Sequence, residues 1–189
     1  DIIMRCGWVN QNDELYVAYH DHEWGVPLYD ERALFELFCL ETQVAGLSWL
    51  TVLKKRDGYR KAFEGFDMAL VASYDEEKIE TILTSGLVIK SRPKLKAIVT
   101  NAALFLELCQ EFGSIRNYFW SKVDRKPIVN SIQNYKNAPT TSNISDEISK
   151  ELKKRGFKFV GSVTVYAFMQ ACGMVNDHED RCFLKMVYS

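Results

Sequence analysis

Apolar residues recur at helical spacing through most of this chain. Between Asp30 and Leu40, positions 34, 35, 37, 38 and 40 form one apolar stripe, and this spacing predicts an amphipathic helix. The segment 45–47 interrupts the pattern, which resumes after Ser48, a residue type that favours a helix N-cap. We therefore predict two helices separated by a short break.

Two further helices are predicted on either side of Gly86. The segment from Asp75 to Leu83 has acidic residues in its first turn, where the helix dipole favours them. Gly86 follows as a C′ glycine. Pro93 suits position N1 of the next helix, whose apolar side extends to Cys109.

The last third of the chain combines an extended connection with two more helices. Residues 125–145 predict the connection, and a helix is predicted to begin at Ser145 or Asp146. The uncharged stretch 159–175 contains polar residues and glycines, whereas a membrane span needs about 20 strongly apolar residues. This stretch therefore predicts a buried core helix. Because strand signals are few and short, the pattern predicts one all-α unit over residues 1–189.

The composition is that of an ordinary soluble protein. A chain of 189 residues suits one domain, and 47% hydrophobic with 26% charged residues excludes disordered and collagen-like chains. The five cysteines are odd in number and widely spaced, with no secretory signal before them, which argues against a disulfide framework. We expect a cytoplasmic protein with reduced thiols and no membrane contact.

Two Cys/His pairs near the chain ends suggest a metal site. Cys6 precedes His20, and His178 precedes Cys182 by four residues, a spacing that places both side chains on one face of a helix. Two sulfurs and two imidazoles form a tetrahedral zinc set with no open position, so a zinc ion held by these four residues would be structural rather than catalytic. Spacing alone leaves open a coincidence of two unrelated pairs, and His22 is expected at the surface.

The chain resembles the bacterial 3-methyladenine DNA glycosylase I enzymes over nearly its whole length. The resemblance rests on five blocks: Arg5-Cys-Gly-Trp, Tyr16-Val-Ala-Tyr-His-Asp-His-Glu-Trp-Gly-Val-Pro, Leu40-Glu-Thr-Gln-Val-Ala-Gly-Leu-Ser-Trp-Leu-Thr-Val-Leu-Lys-Lys-Arg, Lys153-Lys-Arg-Gly-Phe-Lys-Phe-Val-Gly and Phe168-Met-Gln-Ala-Cys-Gly-Met-Val-Asn-Asp-His. It implies a helix-hairpin-helix fold and removal of 3-methyladenine from alkylated double-stranded DNA. It also implies a structural zinc held by Cys6, His20, His178 and Cys182.

The resemblance further implies how the chain is organised. The helix-hairpin-helix region is expected at about 76–109, and the zinc subdomain is expected from segments 1–24 and 172–189. The segment Lys90-Ser-Arg-Pro-Lys-Leu departs from the family pattern, because Pro93 removes a backbone donor there. This departure affects the expected phosphate contacts rather than the activity.

A cationic base such as 3-methyladenine calls for aromatic walls and a carboxylate. Aromatic faces attract cations by about 0.5 to 2 kcal/mol each, and the predicted walls are Trp8, Tyr16, Tyr19 and Trp49, whereas Trp24 is expected to pack in the interior. Glu41 is predicted to bind the exocyclic amine and offset the charge, and Glu41 with Tyr19 is the predicted catalytic pair. An exposed helix carboxylate is the alternative for an isolated glutamate.

Contacts with DNA are predicted from the break after the first helix and from the hairpin. Leu47 is a candidate wedge for the gap left by a flipped base, and core packing is the alternative. The predicted phosphate contacts are Gly86, Lys90, Arg92 and Lys94.

The net charge of −1 hides three basic clusters, 54–61, 90–96 and 150–158, each with four or five Lys or Arg and at most one acid. Each could be a solvated helix face, but we predict that all three flank the mouth of the Glu41 pocket.

Two other functions are weighed against a monomeric repair glycosylase that releases free 3-methyladenine. A zinc-stabilised DNA-binding module without activity has no use for a carboxylate near phosphates. A metal-dependent hydrolase is disfavoured by the closed ligand set.

Overall fold

Helices make up most of the fold in the computed structural model, which describes residues 2–189. Asp1, the first residue of the predicted N-terminal zinc segment, lies outside the described residues. Ten α-helices follow in chain order: α1 (Glu14–His22), α2 (Glu31–Thr42), α3 (Trp49–Leu53), α4 (Arg56–Ala62), α5 (Met68–Ala72), α6 (Glu76–Leu83), α7 (Arg92–Phe112), α8 (Ile115–Ser121), α9 (Asn143–Lys154) and α10 (Ser162–Ala171). The prediction of an all-α fold is confirmed.

Side-chain caps define several helix starts that the sequence predicts. The Asp30 carboxylate accepts a hydrogen bond from Ala33 N at the start of α2, and the Ser48 side chain accepts one from Thr51 N at the start of α3. A cap of this kind stabilises a helix by about 1 kcal/mol. Asp75 caps α6 in the same way, so the break after α2 and the short acidic helix are confirmed.

The starts of α7 and α9 lie slightly before the predicted positions. Pro93 occupies the second position of α7, after Arg92. A proline is tolerated there because a backbone N–H at this position would have no intrahelical partner. The predicted start of α9 at Ser145 or Asp146 is late. Ser142 is the N-cap, and Ser145 completes a capping box with it at position N3.

The core is formed where α2, α7, α8 and α10 cross. Phe38 of α2 lies 5.0 Å from Phe105 and 5.1 Å from Phe168 between ring centroids, both in edge-to-face arrangements. Such pairs contribute about 0.5–1.5 kcal/mol beyond the area they bury. Phe168 lies in α10, so the prediction of a core helix within 159–175 is confirmed. No helix in the described part of the chain is both long enough and apolar enough to cross a membrane.

The connection 125–145 joins the helical body to the C-terminal segment through two short strands. β1 (Ile128–Val129) pairs in parallel with β2 (Val175–Asn176). A short 3-10 helix, Tyr135–Asn137, follows β1. This pairing brings the connection alongside the residues that follow α10, and both border the cavity described below.

Candidate active site

A cavity of about 340 Å³ opens between α1, α2, α3, α10 and the connection 135–140. This volume is in the range of ordinary small-molecule sites. The structure brings together all five residues predicted to bind the base, and they line this cavity: Trp8, Tyr16, Tyr19, Glu41 and Trp49. Trp24, which was expected to pack in the interior, also lines it.

Glu41 is a buried carboxyl group without a hydrogen-bond partner. It lies in the last turn of α2 and is only 6% exposed, and its carboxyl oxygens contact no donor among residues 2–189. Burial raises the pKa of Glu41 from its ordinary value of 4.5 to about 8, because a low-polarity environment disfavours the charged form. Burial therefore favours the protonated form of Glu41, and the exposed-carboxylate alternative is excluded.

Aromatic rings form the walls of the cavity around Glu41. Tyr19 and Trp49 lie 5.3 Å apart between ring centroids, and Trp8 lies 5.0 Å from both Tyr16 and Trp24. Burial raises the pKa of Tyr19 well above its ordinary value, so its hydroxyl group stays neutral. The site therefore joins π-faces to one ionisable carboxyl group, a combination suited to a flat cation.

The loop between α2 and α3 carries Leu47 and is held by Lys94. Leu47 is 39% exposed, so the core-packing alternative is excluded, and Gly46 before it has φ +78°. The Lys94 ammonium group donates to Gln43 O at 2.9 Å and Ala45 O at 2.6 Å, and Gln43 Nε2 donates back to Lys94 O at 3.1 Å. Lys94 therefore fixes the loop beside Glu41, and its contact with DNA stays a prediction.

The four predicted metal ligands meet in one buried cluster. Donor atoms of Cys6, His20, His178 and Cys182 all lie within 4.8 Å of one another. Cys6 Sγ is 3.4 Å from His178 Nδ1, and Cys182 Sγ is 3.6 Å from His20 Nε2. The other ring nitrogen of His20 lies 2.8 Å from Asp21 Oδ1, the kind of contact that orients a metal-binding imidazole.

The cluster can hold a metal ion, although one detail of its prediction is wrong. His178 and Cys182 do not lie on a helix face. They lie in a turn in which Cys182 N donates to Glu179 O at 2.8 Å. The turn nevertheless brings the donor atoms of both residues into the cluster.

The sequence matches a known family over most of its length, since residues 8–185 match the family described as methyladenine glycosylase. This chain belongs to the methyladenine glycosylase family. It is 50% identical over 178 residues to DNA-3-methyladenine glycosylase 1 of Escherichia coli (strain K12), covering 94% of this chain and 95% of that one. It is 47% identical over 178 residues to the DNA-3-methyladenine glycosylase of Haemophilus influenzae, with 94% and 96% covered.

A solved structure shares the fold. It is 3-methyladenine DNA glycosylase I from Staphylococcus aureus, which was studied for its recognition of 3-methyladenine. It superposes with a TM-score of 0.90 at 41% identity, covering 93% of each chain. The resemblance to the 3-methyladenine DNA glycosylase I enzymes and the predicted fold class are therefore confirmed.

The hairpin residues of this methyladenine glycosylase family member lie in the turn between α6 and α7. Gly86 has φ +77°, a left-handed conformation that favours glycine. Arg92 pairs with Glu80 at 2.5 Å. Lys90 is exposed and forms no ion pair within residues 2–189. Their contacts with DNA stay predictions.

None of the residues in the three basic clusters lines the cavity. Arg56 pairs with Glu23, and Arg155 pairs with Glu111. Because α7 rises about 1.5 Å per residue, Glu111 lies roughly 25 Å along that helix from Lys94. The prediction that all three clusters flank the pocket mouth is therefore wrong for Arg155.

Sequence reasoning missed two parts of the cavity wall in this family member. One is the connection with Tyr135 and Lys136, which no local pattern indicated. The other is one face of α10 together with Asp177. Positions 163, 166, 167 and 170 line the cavity at i, i+3, i+4 and i+7 spacing. This helical stripe lies within the stretch 159–175, which the sequence predicts to be a core helix.

Proposed function

We propose that this chain is a DNA glycosylase that hydrolyses the N-glycosidic bond of 3-methyladenine in double-stranded DNA and leaves an abasic site. The observation that carries the proposal is the partnerless, buried Glu41 among aromatic rings. The names of the two relatives and the 3-methyladenine recognition by the Staphylococcus aureus enzyme support it.

The cavity suits a flipped cationic base better than a neutral one. 3-Methyladenine in DNA carries a positive charge, and rings such as Tyr19 and Trp49 attract a cation through their faces. A cation beside Glu41 lowers the pKa of that carboxyl group from about 8. Binding of the base therefore ionises Glu41, and its carboxylate then accepts a hydrogen bond from the exocyclic amine.

The chemistry needs little acid catalysis because methylation has already activated the leaving group. As the bond from the base nitrogen to the sugar breaks, its electron pair goes to the base, which leaves as neutral 3-methyladenine. The positive charge moves to the sugar, and water adds there with loss of one proton. We assign Glu41 to base recognition and electrostatic stabilisation, with Tyr19 holding the base against it.

Extrusion of the base requires contacts outside the cavity, and it costs a few kcal/mol. We assign Leu47 to fill the gap in the stack, and its exposure on the loop beside Glu41 supports this role. The turn at Gly86 and the cations Lys90 and Arg92 would bind backbone phosphates. An exposed ion pair such as Arg92–Glu80 contributes only about 0–1 kcal/mol, so Arg92 can exchange its carboxylate partner for a phosphate.

The Cys/His cluster fits one structural zinc ion. Two thiolates and two imidazoles match zinc chemistry, and the set is closed to water. The residues Cys6 and His20 lie in the N-terminal segment, and His178 and Cys182 lie in the C-terminal one. Zinc would join these segments into one subdomain. We also propose a monomeric, cytoplasmic enzyme.

The test is release of free base from DNA treated with a methylating agent, measured by chromatography. Wild-type protein should release 3-methyladenine, and Glu41→Gln should be about a hundredfold slower because it removes a preorganised charge. No release by wild-type protein would refute the proposed activity. Full activity of Glu41→Gln would refute only the role of that residue.

The zinc proposal has its own measurement. Elemental analysis of purified protein should find about one zinc per chain. Less than half an equivalent, or a different metal, would contradict it.

A further inference from the structure

The cavity has a second polar wall, built around Asp177. The Asp177 carboxylate is 3% exposed. It accepts hydrogen bonds from Asn130 Nδ2 at 2.8 Å, Tyr166 Oη at 2.6 Å and Gln170 Nε2 at 3.0 Å. Tyr166, Gln170 and Asp177 all line the cavity. The wall is therefore a satisfied network rather than a set of adaptable groups.

The Asp177 carboxylate fixes the orientation of the Gln170 amide. A flipped amide would place Gln170 Oε1 against the carboxylate oxygen, where two oxygens repel. It would also lose a hydrogen bond to a charged group, which is stronger than a hydrogen bond between neutral groups. The Nε2 atom is thus held toward Asp177. Gln170 Oε1 has no partner within residues 2–189, so the side chain offers the cavity an acceptor that cannot become a donor.

We propose that Gln170 is a specificity-determining residue: its Oε1 accepts a hydrogen bond from the exocyclic amine of 3-methyladenine and rejects 3-methylguanine. This inference rests on the proposed glycosylase function. Guanine carries a carbonyl oxygen where adenine carries the amine, so 3-methylguanine would place two acceptors together. A site that binds one hydrogen-bonding pattern discriminates strongly against a base that leaves its polar groups unpaired.

Glu41 makes this distinction only in its ionised form. In its protonated form it can donate to the guanine oxygen, and in its ionised form it can accept from the adenine amine. Since burial favours the protonated form of Glu41 and a bound cation favours its ionised form, discrimination that does not depend on the charge of Glu41 requires a group whose role is fixed. Gln170 is such a group because its partner Asp177 accepts on both oxygens.

The experiment measures kcat/KM for 3-methyladenine and 3-methylguanine in the same methylated DNA. Gln170→Met keeps the side-chain length but removes the acceptor, so the preference for 3-methyladenine should fall about tenfold, the equivalent of one hydrogen bond. Asp177→Asn should also reduce the preference by releasing the amide, with metal content measured to confirm that the neighbouring His178 is undisturbed. Asn130→Ala removes another donor to Asp177 from outside the cavity and should leave the ratio unchanged.

The outcomes separate this inference from the proposed function. If Gln170→Met slows excision of both bases equally, or of neither, the specificity role is refuted while the glycosylase activity stands. If wild-type protein releases neither base, the activity is refuted, and calorimetric binding of the two free bases still decides the role of Gln170. Stronger binding of 3-methyladenine that Gln170→Met abolishes would support the role, and equal binding would overturn it.

Discussion

The buried carboxyl group of Glu41 should make the folded protein less stable as the pH rises. Its pKa is about 8 in the folded state, against the ordinary value of 4.5 expected when unfolded. The protonated form is therefore favoured by folding, and its contribution is complete below pH 4.5. It falls by up to about 1.4 kcal/mol per pH unit up to pH 8 and is then constant. A difference of 3.5 units corresponds to about 5 kcal/mol.

Glu41→Gln removes this loss because the amide stays neutral. We expect the variant to be more stable than wild-type protein by about 2 kcal/mol at pH 6 and about 5 kcal/mol at pH 9. Urea unfolding of both proteins at pH 6, 7, 8 and 9 measures the difference, in which the titration of the metal ligands cancels. The control is Glu107→Gln, since Glu107 is exposed on α7 and should give a constant difference. A constant difference for Glu41→Gln, or a less stable variant at pH 9, would refute the reasoning.

Four further substitutions test other parts of the protein. Lys94→Met should lower the stability by about 2 kcal/mol and the Tm by about 4–8 °C. It should leave the salt dependence of DNA binding unchanged, whereas Lys90→Gln should reduce the salt slope by about one. A reduced salt slope for Lys94→Met would instead support the predicted contact between Lys94 and a phosphate. Leu47→Ala should slow excision from duplex DNA but not from single-stranded DNA, and equal losses on both would contradict a wedge. Cys182→Ser should lose bound zinc and melt at a lower temperature, as should wild-type protein after chelation; retained zinc would contradict the ligand set.

Local chemistry explains what could be predicted from the sequence. The apolar stripe after Asp30 and the cap at Ser48 act within one turn of helix, so α2, α3 and the break between them are readable from neighbouring residues. The metal cluster is readable for another reason. Two cysteines and two histidines are typical of a metal site. The prediction therefore does not depend on whether Cys182 lies in a turn or on a helix.

Contacts between distant parts of the chain cannot be predicted from the residues next to them in the sequence. Lys94 meets the Gln43 carbonyl across 51 residues, and nothing near Lys94 distinguishes that contact from a phosphate contact. The α10 helix presents a related difficulty, since a face toward the core and a face toward an aromatic cavity both favour apolar residues. Gln170 was the polar signal within it, but its meaning depends on Asp177, which lies beyond the end of the helix.

The Cys/His cluster and the cavity share a wall, so a change in the stability of the cluster would change the shape of the cavity. The Trp8 ring lines the cavity 5.0 Å from Tyr16 and also lies 5.3 Å from His20 in the cluster. Asp177, which fixes the far wall, directly precedes His178. A cavity shaped for a cation lowers the stability of the fold when no cation is bound. Its apolar walls and the protonated carboxyl group of Glu41 would make more contacts with one another if the cavity collapsed. A metal held by Cys6, His20, His178 and Cys182 would oppose this collapse from outside the pocket, and it would do so without supplying any group to the chemistry.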